Sequence, residues 1–129
     1  MNGKFLLDTN IVIALFKNDS LVIDKITEAK EIFITNITVG ELYFGAYKSS
    51  KVESNIKQID SFVAINIILN CDFTTAKYYG QIKNQLKMKG KPIPENDIWI
   101  AAIAMQYNLI LVSRDKHLQE IENLLLQKW

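Results

Sequence analysis

The sequence predicts an α/β domain built around a mostly parallel sheet, and two observations lead to this prediction. Short apolar runs alternate along the chain with longer helical patterns, which is the order that parallel strands joined by crossover helices require. The first run, residues 5–7, is apolar at every position, as in a strand that is covered on both faces. We therefore expect about five strands in a central layer, with helices flanking both faces.

The first half of the chain predicts three strands and four helices. The first strand ends at Asp8-Thr9-Asn10, and one of these polar residues caps the helix that follows. In the third helix Leu42 and Ala46 recur at helical spacing. The expected strands cover residues 5–7, 32–34 and 65–69, and the expected helices cover 11–16, 21–30, 38–47 and 52–62.

The second half predicts two long helices and two short strands. The longest helix covers residues 75–89 and ends at Gly90, a typical helix terminator. Both prolines, Pro92 and Pro94, then mark a loop. Residues 95–107 are apolar almost all round, which predicts a central, buried helix. The remaining elements are strands at 109–112 and 124–126, with a short helix near His117 between them.

Composition excludes several classes of protein. The 129 residues are expected to form one domain, and the net charge of +1 excludes a strongly basic packaging protein and an acidic tail protein. A single cysteine, Cys71, excludes an internal disulfide framework and a cysteine-based zinc site. The longest apolar stretch, 98–105, is far shorter than the roughly 20 residues of a membrane span. The start of the chain carries no pattern of a leader, so a soluble, cytoplasmic protein is expected.

Four acidic residues occupy positions at which a parallel sheet binds ligands. Asp8 follows the first strand and Asp115 follows the fourth, whereas Asp97 opens the buried helix and Glu41 lies in the first turn of the third helix. Strand ends and helix starts meet at one edge of such a sheet, where ligands bind at the switch point of strand order. All four carboxylates are therefore candidates for a single cleft.

A cluster of carboxylates favours a divalent cation. Close carboxylates repel one another unless a cation is present, and Mg²⁺ or Mn²⁺ prefers oxygen ligands. Such ions activate water and stabilise phosphate oxygens during in-line displacement, so phosphodiester hydrolysis fits the pattern.

Each acid also has a purely structural explanation. Glu41 can complete a capping box with Thr38, and Asp97 can be a first-turn acid favoured by the helix dipole. Asp8 and Asp115 can each cap the helix that follows, although Asn10 is also available to cap the first one. One such placement would be weak evidence, but four on one edge of the sheet favour a site.

At these positions the chain resembles the PIN-domain ribonucleases of the VapC type, the toxins of bacterial toxin–antitoxin pairs. The matching segments are FLLDTN at 5–10, TVGELYFG at 38–45, PIPENDIWIAA at 92–102 and LVSRD at 111–115. Their order and spacing cover essentially the whole chain, and the third segment is the most specific. The resemblance implies that residues 1–129 are a single PIN domain with three layers.

The resemblance also implies a Mg²⁺-dependent endoribonuclease, with Mn²⁺ as an alternative ion. Asp8 and Asp97 match the acids that anchor the metal, and Glu41 and Asp115 match the two acids that complete the catalytic set. We expect Asp115 to contact the metal directly or through water. Two further positions match polar residues that support the site, Asn10 and Ser113, and Ser113 departs from the family by standing where threonine is more usual. The implied partners are an RNA substrate, a small cognate antitoxin and a second copy of the chain in a homodimer, with no membrane.

Other features and functions stay open at this point. Arg114 adjoins the proposed site and is a candidate contact for RNA or antitoxin, and lysines between residues 77 and 91 offer a basic face for phosphates. One alternative is a PIN nuclease that acts on DNA or in RNA processing. A second is a PIN domain that binds without cleaving. A third is a receiver-like phosphoacceptor that uses Asp72, with Ser113 and Lys116 as helpers.

Overall fold

A five-stranded parallel sheet forms the centre of the computed structural model, which describes residues 3–129. Met1 and Asn2, on which the expectation about a leader partly depends, lie outside the described residues. The strands are β1 (Lys4–Leu7), β2 (Glu31–Thr35), β3 (Ile67–Leu69), β4 (Ile110–Val112) and β5 (Leu126–Gln127). Their order is β3-β2-β1-β4-β5, and every neighbouring pair is parallel. The predicted α/β fold class is confirmed.

Six α-helices flank the sheet in the described part of the chain. They are α1 (Thr9–Phe16), α2 (Ser20–Glu28), α3 (Asn36–Tyr47), α4 (Val52–Ile65), α5 (Phe73–Lys89) and α6 (Glu95–Gln106). A short 3₁₀ helix, Lys116–Glu120, joins β4 to β5. Gly90 ends α5 with a φ of 68°, a left-handed conformation that glycine adopts without steric cost.

Two hydrophobic clusters lie on opposite faces of the sheet. Leu6 of β1 belongs to the cluster of α5 and α6, whereas its neighbour Leu7 belongs to the cluster of α1 to α4. Successive side chains of a strand point to opposite faces, so a strand between two cores must be apolar at consecutive positions. This is the physical reason for the continuous apolar run at the start of the chain.

The buried helix expected at 95–107 is α6. Ile98 and the run from Ile100 to Ala104 are almost fully excluded from solvent. Because α6 packs beside α5 and under the sheet, little of its circumference is left for polar residues. Its first turn nevertheless carries two acids, Glu95 and Asp97. The polar side chains of α6 that could take part in a site therefore lie at its N-terminal end.

Four helices, α1, α2, α3 and α5, start one or two residues earlier than predicted, and two of these differences concern the site. Helix α3 begins at Asn36 because the Thr35 side chain, at the end of β2, accepts the backbone N–H of Thr38 at 3.0 Å. Glu41 therefore lies in the second turn, and the predicted first-turn position and capping box with Thr38 are wrong. Helix α1 likewise begins at Thr9, capped by Asp8, so Asn10 lies inside the helix.

In residues 3–129, none of the helices has the length and apolar character needed to cross a membrane.

Candidate active site

The candidate site lies where the order of the strands reverses. Strand β1 pairs with β2 on one side and with β4 on the other. The chain first proceeds outward from β1 to β2 and β3, and the crossover from β3 to β4 then returns to the opposite side of β1. Asp8 follows β1 and Ser113 follows β4, and the backbone N–H of Asp8 donates to the Val112 carbonyl at 2.9 Å. Both residues thus lie at the carboxyl edge of the sheet, the position predicted for ligand binding in this class of fold.

Asp8 is a buried carboxylate with two hydrogen-bond donors. Only 4% of the residue is exposed. Its Oδ2 accepts the Ser113 hydroxyl at 2.6 Å, and its Oδ1 accepts the Thr9 backbone N–H at 2.8 Å. Burial raises the pKa of Asp8 above its ordinary value, and the two donors partly oppose that effect. Asp8 is therefore a helix cap and a member of the acidic cluster at the same time.

Ser113 connects the site residues of β1 and β4. Its Oγ donates to Asp8 and accepts the backbone N–H of Asp115 at 3.0 Å. The Asn10 amide donates to the same Oγ at 3.4 Å and accepts the Arg114 backbone N–H at 3.3 Å. The two predicted support residues, Asn10 and Ser113, thus lie together and tie α1 to the loop after β4.

Asp97 has the most strongly shifted pKa of the four acids. Burial, followed by the negative charges of Asp8 and Asp115, raises its pKa to about 7. A hydrogen bond with Asp115 and the charge of Glu41 act in the same direction. The structure thus brings all four predicted acids into electrostatic contact, and their mutual repulsion is the main charge effect on Asp97.

Asp115 combines a cap with membership of the cluster. Its Oδ1 accepts the His117 backbone N–H at 2.9 Å and so caps the 3₁₀ helix. The His117 ring lies 3.1 Å from the same oxygen but points into solvent. The structural explanation of Asp115 as a cap is correct, and it is compatible with the contact to Asp97.

Glu41 reaches the site from α3 and is held by two neighbouring helices. Its Oε1 accepts the Thr9 hydroxyl of α1 at 2.5 Å, and its Oε2 accepts the Asn96 amide of α6 at 3.4 Å. The sequence patterns do not predict a role for either Thr9 or Asn96. Thr9 stands within a motif segment, but only the packing of α1 against α3 directs its hydroxyl toward Glu41.

Arg114 lies beside the cluster but its guanidinium faces away from it. Its Nη2 pairs with Asp19 at 2.9 Å, and its Nε donates to the Trp129 carbonyl at 2.8 Å. The predicted contact with RNA or antitoxin stays a prediction.

On α5, the positive charge of the lysine face is partly neutralised, because Lys83 pairs with Glu95 and Lys89 with Glu120.

The donor set of the cluster fits a hard divalent cation. Among residues 3–129, no group of three or more Asp, Glu, His or Cys side chains is arranged so that it could hold a metal ion. A Mg²⁺ site does not need one, since this ion is commonly held by one or two carboxylates and keeps several waters. The acids offer oxygen donors only. Burial and then repulsion raise the pKa of Asp97, and a cation among the acids would relieve the repulsion.

The receiver-like alternative is not favoured by the geometry. Asp72 follows β3, the outermost strand, and its carboxylate accepts the Thr75 backbone N–H at 3.0 Å and a hydrogen bond from Gln106. This capping box starts α5 and leaves Asp72 far from the switch point.

Comparisons with known proteins agree with this geometry. The model of the PIN domain family matches residues 5–124. Ribonuclease VapC2 of Haemophilus influenzae is 42% identical over 124 residues, covering 95% of this chain and 92% of the relative. The tRNA(fMet)-specific endonuclease VapC of Shigella flexneri is 32% identical and covers 98% of both chains. The crystal structure of VapBC2 from Rickettsia felis, bound to a DNA fragment from its promoter, matches with a TM-score of 0.91 at 31% identity and 98% coverage of both chains.

Proposed function

The chain belongs to the PIN-domain family, among the VapC ribonucleases, and on this premise we propose that it is an endoribonuclease toxin of a toxin–antitoxin pair. The observation that supports this most strongly is the meeting of Asp8, Glu41, Asp97 and Asp115 at the switch point of the sheet. The family match over residues 5–124 also supports one PIN domain over residues 1–129. We propose that this domain acts in the cytoplasm.

The four acids have different roles in phosphodiester hydrolysis. Asp8 and Asp97 would hold Mg²⁺ or Mn²⁺, with Asp115 contacting the ion directly or through water. Ser113 keeps Asp8 in place through its hydrogen bond, and Asn10 in turn donates to Ser113. The chemistry that a bound divalent ion supplies is activation of water and stabilisation of charge on the phosphate oxygens. Glu41, held by Thr9 and Asn96, orients the attacking water. The oxygen of that water bonds to phosphorus as the bond to the leaving sugar oxygen breaks.

Chelation of the metal is expected to abolish cleavage. Without a cation, repulsion among the acids persists and nothing neutralises the phosphate charge, so we expect a loss of at least about 100-fold. The measurement is cleavage of tRNA(fMet) and of a structured RNA mixture with Mg²⁺, with Mn²⁺ and with EDTA, each followed on a denaturing gel. Excess Mg²⁺ added after EDTA should restore the cuts.

Two outcomes of this assay would contradict the proposal. Cleavage that continues in EDTA would exclude the metal-dependent mechanism. Absence of cuts in every RNA under metal would favour a domain that binds without cleaving. A single-stranded DNA of matched length, tested in parallel, decides between an RNA substrate and the DNA alternative.

An apolar groove beside Glu41 supports an antitoxin partner. The groove is about 300 Å³ in volume, lies between α1, α3 and α4, and is lined by Ile13, Phe16, Leu42 and Ile59 among others. Lys17 lies at the same groove. An antitoxin segment with apolar side chains and a nearby acid would match these features. Two of the structural relatives are VapBC structures, from Rickettsia felis and from Haemophilus influenzae, and on this basis we propose that the chain binds its own antitoxin. We also propose that it forms a homodimer.

A further inference from the structure

We infer that Thr9 is a positioning residue, whose hydroxyl fixes the Glu41 carboxylate in the orientation that hydrolysis requires. The inference rests on the proposed function for its effect on cleavage, but the hydrogen-bond chain behind it is independent of any substrate. That chain runs from Thr38 through Thr9 to Glu41 and spans helices α3 and α1.

The direction of these hydrogen bonds follows from the number of protons that each hydroxyl and the carboxylate can donate. The Thr9 Oγ1 lies 2.5 Å from Glu41 Oε1 and 3.0 Å from Thr38 Oγ1. An ionised carboxylate only accepts, and a hydroxyl has a single proton, so Thr9 donates to Glu41. The Thr38 hydroxyl must then donate to Thr9. Because hydrogen bonds in series polarise one another, the bond to the carboxylate is strengthened by the bond behind it.

Burial restricts the movement of the inner end of this hydrogen-bond chain. Thr38 is fully buried, and its backbone N–H is already used by the Thr35 cap. The Thr38 hydroxyl is therefore anchored from the interior, whereas Glu41 at the other end is only partly buried. A glutamate has three side-chain torsions and samples several rotamers unless a partner selects one. The Thr9 hydroxyl supplies that selection from inside the protein.

The hydroxyl of Thr9 has no part in starting α1. The cap of this helix is made by the Asp8 carboxylate and the Thr9 backbone N–H, which any residue at this position other than proline retains. Valine is also close in shape to threonine and has the same β-branching. Thr9→Val thus removes the hydroxyl while leaving the cap in place, and Thr9→Ser keeps a hydroxyl.

A double-mutant cycle on cleavage tests whether Thr9 acts through Glu41. We expect Thr9→Val to lower kcat by roughly tenfold with little change in KM, since it removes a charge-assisted hydrogen bond that orients a water-positioning group. Thr9→Ser should recover kcat to within about twofold of wild type. In a Glu41→Ala background, which removes the acceptor of the Thr9 hydroxyl, Thr9→Val should change kcat by less than about twofold. An equal, additive loss in both backgrounds would overturn the inference.

A second cycle, on unfolding of the metal-free protein, separates this inference from the proposed function. Thr9→Val and Glu41→Ala should be coupled by roughly tenfold in the equilibrium constant for unfolding, whether or not the protein cleaves RNA. Additive effects on unfolding would mean that the two side chains do not interact. Thr27→Val is the matched control, because its hydroxyl donates to the Ile23 carbonyl on the exposed face of α2. It should leave kcat unchanged and show no coupling to Glu41. A tenfold loss of kcat in this control would overturn the inference, because a hydroxyl that donates to Ile23 would then have the same effect as one that donates to Glu41.

Discussion

Replacing Asp97 with asparagine is expected to lower RNA cleavage by at least about 100-fold and to stabilise the metal-free protein. Cleavage falls because Asp97 is one of the acids that would hold the metal, and loss of even an outer partner of such a site costs roughly 10- to 100-fold. Stability rises because the substitution removes a negative charge that burial, Asp8 and Asp115 all disfavour. Since Asp97 is partly exposed and screened by water, we expect a gain of about 1 kcal/mol.

The gain in stability of Asp97→Asn over wild type should increase as pH rises. The pKa of Asp97 is raised from 3.8 to about 7 in the folded protein, so the folded state binds more protons than the unfolded state between these values. The contribution of Asp97 to the free energy of unfolding therefore falls as pH rises from 3.8 to about 7. The advantage of Asp97→Asn over wild type should grow across the same interval and level off above it.

Thermal or urea unfolding at a series of pH values measures this effect. Asp24→Asn, on the exposed face of α2, is the matched control and should stay within about 0.5 kcal/mol of wild type at each pH. An Asp97→Asn variant that is less stable than wild type above about pH 7 would contradict the repulsive cluster. Wild-type cleavage by the same variant would show that Asp97 has no role in hydrolysis.

Removing the Ser113 hydroxyl is expected to affect both stability and cleavage. In Ser113→Ala the buried Asp8 carboxylate loses its 2.6 Å donor, and the Asp115 backbone N–H loses its acceptor. A hydrogen bond to a buried charge contributes about 1.5–3 kcal/mol, so we expect a loss of roughly 2 kcal/mol. Because Asp8 is then less well oriented, cleavage should fall by about 10- to 100-fold.

Threonine at the same position provides the control. Ser113→Thr keeps the hydroxyl and is the residue more usual in the family, so it should retain cleavage to within a few-fold and the hydrogen bond to Asp8. Unfolding in urea and initial cleavage rates measure the two effects. If Ser113→Ala and Ser113→Thr behave alike in both assays, the hydroxyl does not support Asp8.

The fold was largely predictable because its signals are local. The run before Asp8 is apolar at every position because β1 lies between two hydrophobic clusters. Helix α6 is apolar almost all round because it is buried under the sheet. Alternation of strands and helices then leaves few topologies, since parallel crossovers are nearly always right-handed. The resemblance to the PIN domain, carried by segments around the four acids, is confirmed by the family match.

The errors arose where one side chain decides a boundary. Both Thr35 and Thr38 are available as caps for the third helix, and Thr38 stands at the better distance from Glu41 for a capping box. In the folded chain Thr35 caps α3 directly at the end of β2, and Glu41 turns toward α1 instead. The ion pairs of Arg114 with Asp19, of Lys83 with Glu95 and of Lys89 with Glu120 could not be predicted either, because the partners are distant in sequence. The predicted contacts of these cations with RNA or antitoxin stay predictions.

The partners of Glu41 could not be predicted from residue types. Thr9, Asn96 and Glu41 lie on three different helices, and their contacts depend on how α1, α3 and α6 pack. Spacing along the chain carries no information on such distances. This is why the sequence predicts the four acids as a set but not the Thr9 hydroxyl and the Asn96 amide that orient Glu41.

The most direct test of the central claim is a calorimetric titration of the metal-free protein with Mn²⁺. The account predicts saturable binding to wild type, greatly weakened in Asp8→Asn and in Asp97→Asn, and unchanged in Asp24→Asn. Binding should also release protons near neutral pH, because the metal displaces the proton that burial and repulsion, by raising the pKa of Asp97, hold on that side chain. Binding that is equally tight in Asp97→Asn, or absent from the wild type, would contradict a metal site built from these carboxylates.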